Sequence, residues 1–296
     1  MRSPQLYLIE RQFTSDFSCS EMDSTCRTNN NSNNNNNKGN WTSNLTITYN
    51  SLMRNRYAVE YNMQHKNRGT AIIFNHMDFD AKLNLKPRNG TEVDCARLQS
   101  VLKQLHFDVH SYDDPCHTKI VEAVAKLASQ NHEDSDCILI AILSHGEKGL
   151  IYARDVQYKL QDLCEFFLPS KCPSLAGKPK LFIVQACQGH SFDPGVRVAT
   201  ESLSSNHYTI PIHADFLIAQ ATIQGFVSWR NPKFGSWFIQ SLCTELEEKG
   251  KDCDLLTLLT FVCRRVAVDF EAGTSEKQIP SITTMLTRNL FFRDRP

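Results

Sequence analysis

Four short runs of nearly uninterrupted apolar residues, at 71–74, 137–143, 181–184 and 216–219, constrain this chain more than any other feature. A strand with one wet face alternates apolar and polar residues. A continuous run has both faces covered, as in a parallel sheet sandwiched between helices. The segments between the runs carry a helical period. Thr91 stands as an N-cap with Asp94 three residues on, followed by Leu98, Val101, Leu102 and Leu105 along one face. Ile120, Val121, Val124 and Leu127 mark a second helix, and Phe238, Ile239, Leu242 and Leu246 a third. Leu255, Leu258, Leu259, Val262 and Val266 mark a fourth, and the stretch 282–292 reads as a final strand. Alternation of this kind predicts an α/β fold with a sheet between two helix layers.

Two stretches fall outside the alternation. Residues 29–37 are eight asparagines and Ser32, a tract with too little apolar surface to offset the entropy of ordering it. Residues 1–55 are accordingly expected to form a disordered extension, and the sequons at Asn40, Asn44 and Asn89 are chance products of an Asn-rich composition. The second stretch, 190–208, contains Pro194 and Gly195, has no period, and reads as a long functional loop. With 32 basic and 32 acidic residues the chain has no net charge, which argues against a general grip on nucleic acid or an anionic membrane. No apolar run approaches the ~18 residues of a membrane span, and the start lacks a signal-peptide core. Eleven cysteines without a C-x-x-C pair point to free thiols in a reducing, cytoplasmic setting, with no metal and no cofactor.

One of those thiols stands in a distinctive place. The run 181–184 leads directly into Gln185-Ala186-Cys187-Gln188-Gly189, and the run 137–143 leads into Ser144-His145-Gly146. If the two strands are parallel neighbours, Cys187 and His145 leave the same edge of the sheet, where open α/β sheets place their ligand crevices. Imidazole can activate a thiol nucleophile, and the Gly146 N–H can join that of Cys187 in binding a developing oxyanion. Alone, a cysteine at a strand end is usually a small buried hydrophobe, and a histidine before glycine a turn residue. It is the pairing that carries the functional reading. Cys95, Cys137, Cys164, Cys243 and Cys263 fall on core elements, where packing accounts for them.

Gln185-Ala186-Cys187-Gln188-Gly189 and Ser144-His145-Gly146 resemble the nucleophile and histidine motifs of the caspases. The likeness to the executioner subfamily extends over 58–293. It includes Ile72-Ile73-Phe74-Asn75, Arg88-Asn89-Gly90-Thr91, Ala214-Asp215-Phe216-Leu217, Ser228-Trp229-Arg230-Asn231 and Lys277-Gln278-Ile279-Pro280. It implies a three-layer caspase sandwich with a mainly parallel sheet of about six strands, acting as a cysteine endopeptidase that cleaves after Asp. In that reading Cys187 attacks, His145 protonates the leaving amine, and the backbone carbonyl of Lys86 orients the histidine. Arg88, Gln185 and Arg230 form the pocket for the substrate carboxylate, where two guanidiniums give charge-assisted bonds. Ser228 and Asn231 hold substrate backbone and a more distant acid, and Trp229 and Trp237 line the neighbouring subsites.

The resemblance also implies a zymogen cut into a large subunit, 56–201, and a small one, 202–296. Asp193 precedes Pro194, which disfavours cleavage there, so the expected cut follows Glu201, with a further cut after Asp23 removing the prosegment. The extension is too short and polar for a death-fold recruitment domain. Implied partners are protein substrates, an upstream initiator protease, inhibitor-of-apoptosis proteins and a second copy, paired through the 282–292 strand, with no nucleic acid and no membrane. Two departures bear on specificity. Val227 stands where executioners carry an aromatic residue, and only five residues, 272–276, stand where they carry a longer loop. Two rivals compete: a caspase-like decoy without catalysis, which normally lacks the Cys, His or pocket arginines, and a related protease of basic or Asn specificity, which the two arginines oppose.

Overall fold

A computed structural model describes residues 57–147, 149–189, 213–272 and 276–295. Six strands form one sheet: β1 (Thr70–Asn75), β2 (Asp108–Asp113), β3 (Ile138–Leu143), β7 (Lys180–Gln185), β8 (Phe216–Gln220) and β11 (Ser281–Thr284). Their spatial order is β11-β8-β7-β3-β1-β2, every neighbour parallel except the antiparallel β8–β11 pair. A small three-stranded sheet, β4 (Gly146–Glu147), β5 (Leu150–Tyr152) and β6 (Gln157–Lys159), follows β3, and a short hairpin, β9 (Arg230–Asn231) with β10 (Gly235–Ser236), follows β8.

The apolar runs are continuous because alternate residues serve two cores. Ile73, Leu139, Ala141, Leu143, Leu181 and Ile183 face the layer of α1 (Thr91–Gln104), α4 (Trp237–Lys249) and α5 (Leu255–Asp269). Ile72, Phe74, Ile140, Ile142, Phe182 and Val184 face α2 (His117–Ala128) and α3 (Leu160–Cys164). A helix layer therefore covers each face, and burying each such side chain contributes ~1.5–3 kcal/mol. Among the described residues no helix is long and apolar enough to cross a membrane.

Two local expectations are corrected, and one strand was not expected. Thr91 is not the cap of α1: the cap is Gly90, at φ 93°, with no side-chain cap bond, and the Thr91 hydroxyl is engaged elsewhere. The stretch 282–292 is strand only over Ser281–Thr284; Leu290 and Phe292 are buried as irregular chain docked into the core, so their apolar character reports packing and not pleat. Strand β2 had no apolar run to announce it, because its residues lie at the exposed edge of the sheet. The helices α4 and α5 are capped conventionally, Ser236 accepting from the Ile239 N–H and Asp254 from those of Leu256 and Thr257.

Candidate active site

The register of β3 against β7 pairs Leu143 with Gln185, and the Ser144 N–H extends that ladder by donating to the Gln185 carbonyl at 3.0 Å. His145 and Cys187 thus leave the carboxyl ends of adjacent parallel strands, as the motif spacing required. The Cys187 thiol is partly buried and lies against Ser228, whose N–H points at Sγ from 3.4 Å and whose hydroxyl lies 3.6 Å away. Gly146 abuts the nucleophile's backbone. A Cβ there would stand 2.5 Å from the Cys187 carbonyl oxygen and 2.9 Å from the Ala186 Cβ, so only glycine allows this approach.

His145 Nε2 lies 2.8 Å from the Lys86 carbonyl oxygen. A carbonyl only accepts, so Nε2 carries the proton and Nδ1 presents its lone pair. Phe79 packs on the ring at 5.1 Å between centroids. Burial holds the imidazole down to about 4, the Lys86 bond opposing and the Arg88 and Arg230 charges adding to the effect. At neutral pH the ring is a neutral base.

Arg88 sits in the loop before α1 and is almost wholly buried. Its Nη1 donates to the His76 carbonyl at 2.7 Å and to Thr91 Oγ1 at 2.8 Å. Its Nε and Nη2 are buried and have no partner among the described residues. Burial, then the neighbouring Arg230 charge, lowers the guanidinium to about 9. Arg230, on β9, donates from Nε to the Asn89 carbonyl at 3.0 Å, and burial lowers it as well. Gln185 spends an Nε2 hydrogen on Ser228 Oγ at 3.0 Å and leaves its buried Oε1 without a partner among the described residues.

The other expected site residues gather around this centre. Trp229 stacks on Trp237 at 5.7 Å between centroids, and Trp237 on Phe270 at 5.3 Å. Asn231 caps its own turn, its Oδ1 accepting from the N–H groups of Lys233 and Phe234. Asp23, Asp193 and Glu201 lie outside the described residues, as do the loop 190–208 and the middle of 272–276. Among the described residues no group of three or more His, Cys, Asp or Glu comes together as a metal site.

Two supporting residues escaped the sequence reading. Buried Gln278 accepts from the Trp229 N–H at 2.7 Å and donates to the Ala221 carbonyl at 2.8 Å, holding the segment that carries Ser228 and Arg230. Asp94 serves no cap. Its buried carboxylate accepts from the Ser236 N–H and from Gln240 Nε2, anchoring β10 beside Gly235 at φ 86°. Both residues stand in polar surroundings in the sequence, and only the family-like run Lys277-Gln278-Ile279-Pro280 singled out Gln278, without a role.

The caspase domain, taken as a family profile, matches residues 68–291. The chain belongs to the caspase family. As a caspase it is a cysteine-type endopeptidase. It is 57% identical over 256 residues to caspase drICE of Drosophila melanogaster, a span of 82% of this chain and 75% of that one. It is 40% identical over 260 residues to caspase-7 of Gallus gallus, spanning 82% and 84% of the two chains. The crystal structure of caspase-1 from Spodoptera frugiperda superposes with a TM-score of 0.75 at 49% identity, covering 81% of this caspase and 95% of that chain.

Proposed function

We propose that this caspase is an executioner-type enzyme that cleaves proteins after Asp, with Cys187 as nucleophile and His145 as proton carrier. The observation that carries the specificity is the buried Arg88 guanidinium, with two nitrogens left unpartnered beside a second arginine. Donors of that kind are satisfied by a carboxylate and repel a basic side chain. Gln185 completes the pocket, while Ser228, Asn231, Trp229 and Trp237 border the path of the substrate backbone.

In the reaction, His145 Nδ1 takes the thiol proton as Sγ bonds to the scissile carbonyl carbon. The oxygen charge that develops falls to the N–H groups of Cys187 and Gly146. Collapse breaks the C–N bond, and the proton on His145 leaves with the amine. Water, deprotonated by His145, then attacks the thioester, and Cys187 departs as the thiol when that proton returns.

Val227 in place of an aromatic side chain and the short 272–276 loop leave the adjoining subsites open, so a strict requirement for a distant acid is not expected. Residues 1–55 act as a prosegment, of which a cut after Asp23 releases residues 1–23, and cleavage after Glu201 separates large and small subunits. The mature enzyme is a homodimer in the cytoplasm, activated by an initiator protease, restrained by inhibitor-of-apoptosis proteins, and used in apoptosis. The relatives named above support this reading.

The test is turnover of tetrapeptides ending in Asp, Glu, Asn or Arg by the processed wild type and Cys187→Ala. Cleavage after Asp by the wild type alone is expected; no Asp cleavage would overturn the reading. Mass spectrometry of the mature subunits tests the processing site, which fails if the small subunit begins anywhere but Ser202.

A further inference from the structure

The geometry points to Thr91 as a positioning residue that, backed by Asn75, fixes the depth of the carboxylate pocket by holding Arg88. This rests on the reading of Arg88 as the group that binds the substrate carboxylate. Thr91 Oγ1 lies 2.8 Å from Arg88 Nη1 and 2.7 Å from Asn75 Oδ1. A guanidinium is a donor only, so the hydroxyl must accept from it, and its single hydrogen must go to Asn75. Asn75 is oriented in turn, because its Nδ2 donates to Asp113 Oδ1 at 3.0 Å and this turns Oδ1 toward Thr91. Each group has one role open to it, and donation runs one way, from Arg88 through Thr91 and Asn75 to Asp113.

Two further facts support a positioning role. Arg88 belongs to the segment between β1 and α1, but Asn75 is the last residue of β1 and Thr91 the first of α1. Besides its bond to the His76 carbonyl of its own segment, the guanidinium is therefore tied through Thr91 and Asn75 to two regular elements, which is how a group is held to within a fraction of an ångström. And α1 gains no cap from the hydroxyl, since its cap residue is Gly90. All three of Asn75, Arg88 and Thr91 are buried, so water does not compete for these bonds.

A guanidinium fixed in this way sets the distance at which a carboxylate can meet Nε and Nη2. Asp fits that distance; Glu carries one methylene more, and a rigid pocket rejects such a mismatch by roughly 10- to 200-fold. Loosening Arg88 weakens the grip on Asp and lets Glu in.

The experiment compares wild type, Thr91→Val and Thr91→Ser on matched peptides ending in Asp and Glu, normalised to active enzyme by titration of the thiol. For Thr91→Val the expected results are a KM for Asp raised roughly tenfold, kcat within about twofold, and an Asp:Glu ratio of kcat/KM lowered about fivefold or more. Thr91→Ser should restore both. A purely structural Thr91 would lower Tm and the yield of active enzyme but leave the Asp:Glu ratio where it was, and that result overturns the proposal. Asn75→Ala is the second arm, read in the same way should Thr91→Val fail to fold. If the wild type itself shows no preference for Asp over Asn, the pocket reading fails. If that preference stands and the variants match the wild type, the positioning role alone fails.

Discussion

Replacing Arg88 with methionine should make the unliganded enzyme more stable while abolishing most of its activity. The guanidinium makes two bonds, to the His76 carbonyl and Thr91, and leaves Nε and Nη2 buried without a partner among the described residues. Each unsatisfied buried donor costs ~1–3 kcal/mol and more when charged, as here, which slightly outweighs the ~1.5–3 kcal/mol contributed by each charge-assisted bond the guanidinium makes. Arg88→Met removes both, for a net gain of about 1–2 kcal/mol, and a domain of this size converts that into a Tm increase of about 2–8 °C. The sign agrees with the lowering of Arg88 to about 9: at neutral pH folded and unfolded chains both hold the proton, and the buried charge counts against the fold. Activity moves the other way. Loss of two charge-assisted bonds to the substrate carboxylate, ~1.5–3 kcal/mol each, lowers kcat/KM for Asp peptides by roughly 10²–10⁴-fold. Calorimetry of both proteins, with and without a reversible peptide aldehyde ending in Asp, reads the two effects together. The inhibitor should raise the wild-type Tm and leave that of the variant almost unmoved. A fall in Tm together with retained Asp cleavage would refute the reasoning, for the pocket would then be neither strained when empty nor dependent on this arginine.

Acid should weaken the fold in a window set by buried histidines. Burial holds His76 at about 4, so as pH falls from about 6.5 to about 4 the unfolded chain takes up a proton that the folded chain refuses, and stability declines by ~3 kcal/mol from this residue. Urea titrations of wild type and His76→Asn across that range check it, the variant showing the shallower decline. In Cys187→Ala, the ring nitrogens of His145 followed by NMR should remain neutral through pH 6 and protonate with a midpoint near 4. Gly146→Ala brings a methyl group to 2.5 Å from the Cys187 carbonyl oxygen, and the displaced backbone should cost roughly 10²-fold in kcat while KM changes little. A variant with normal kcat would show that the approach is incidental.

Much of this could be read from the chain because burial on both faces leaves a continuous apolar signature, and because His145 and Cys187 closely follow two such runs, each two residues past the end of its strand. Polarity hid the rest. Strand β2, with its sequence Asp108-Val109-His110-Ser111-Tyr112-Asp113, borders solvent and carries no such signature. Thr91 looked like a cap because caps are where threonines with an acidic residue three positions on are found; its hydroxyl instead answers Arg88, a partner from a separate motif. Asn75, Asp94 and Gln278 are buried polar groups whose partners lie far along the chain, 146 residues away for the Asp94–Gln240 bond. No local pattern encodes such a pairing.

The junction of β7 and β8 has a consequence for how this protein survives proteolysis. The two strands run parallel through five register pairs, from Lys180–Phe216 to Val184–Gln220, with the segment 190–212 between them in sequence. A peptide bond severed within that segment breaks no hydrogen bond among the described residues. The ladder, both helix layers and the docked C-terminal tail all bridge the nick, so the two fragments stay interleaved as one cooperative unit. What the cut changes is connectivity: β7 and β8 are then joined only by their parallel ladder and the packing on its two faces, and no longer through the chain.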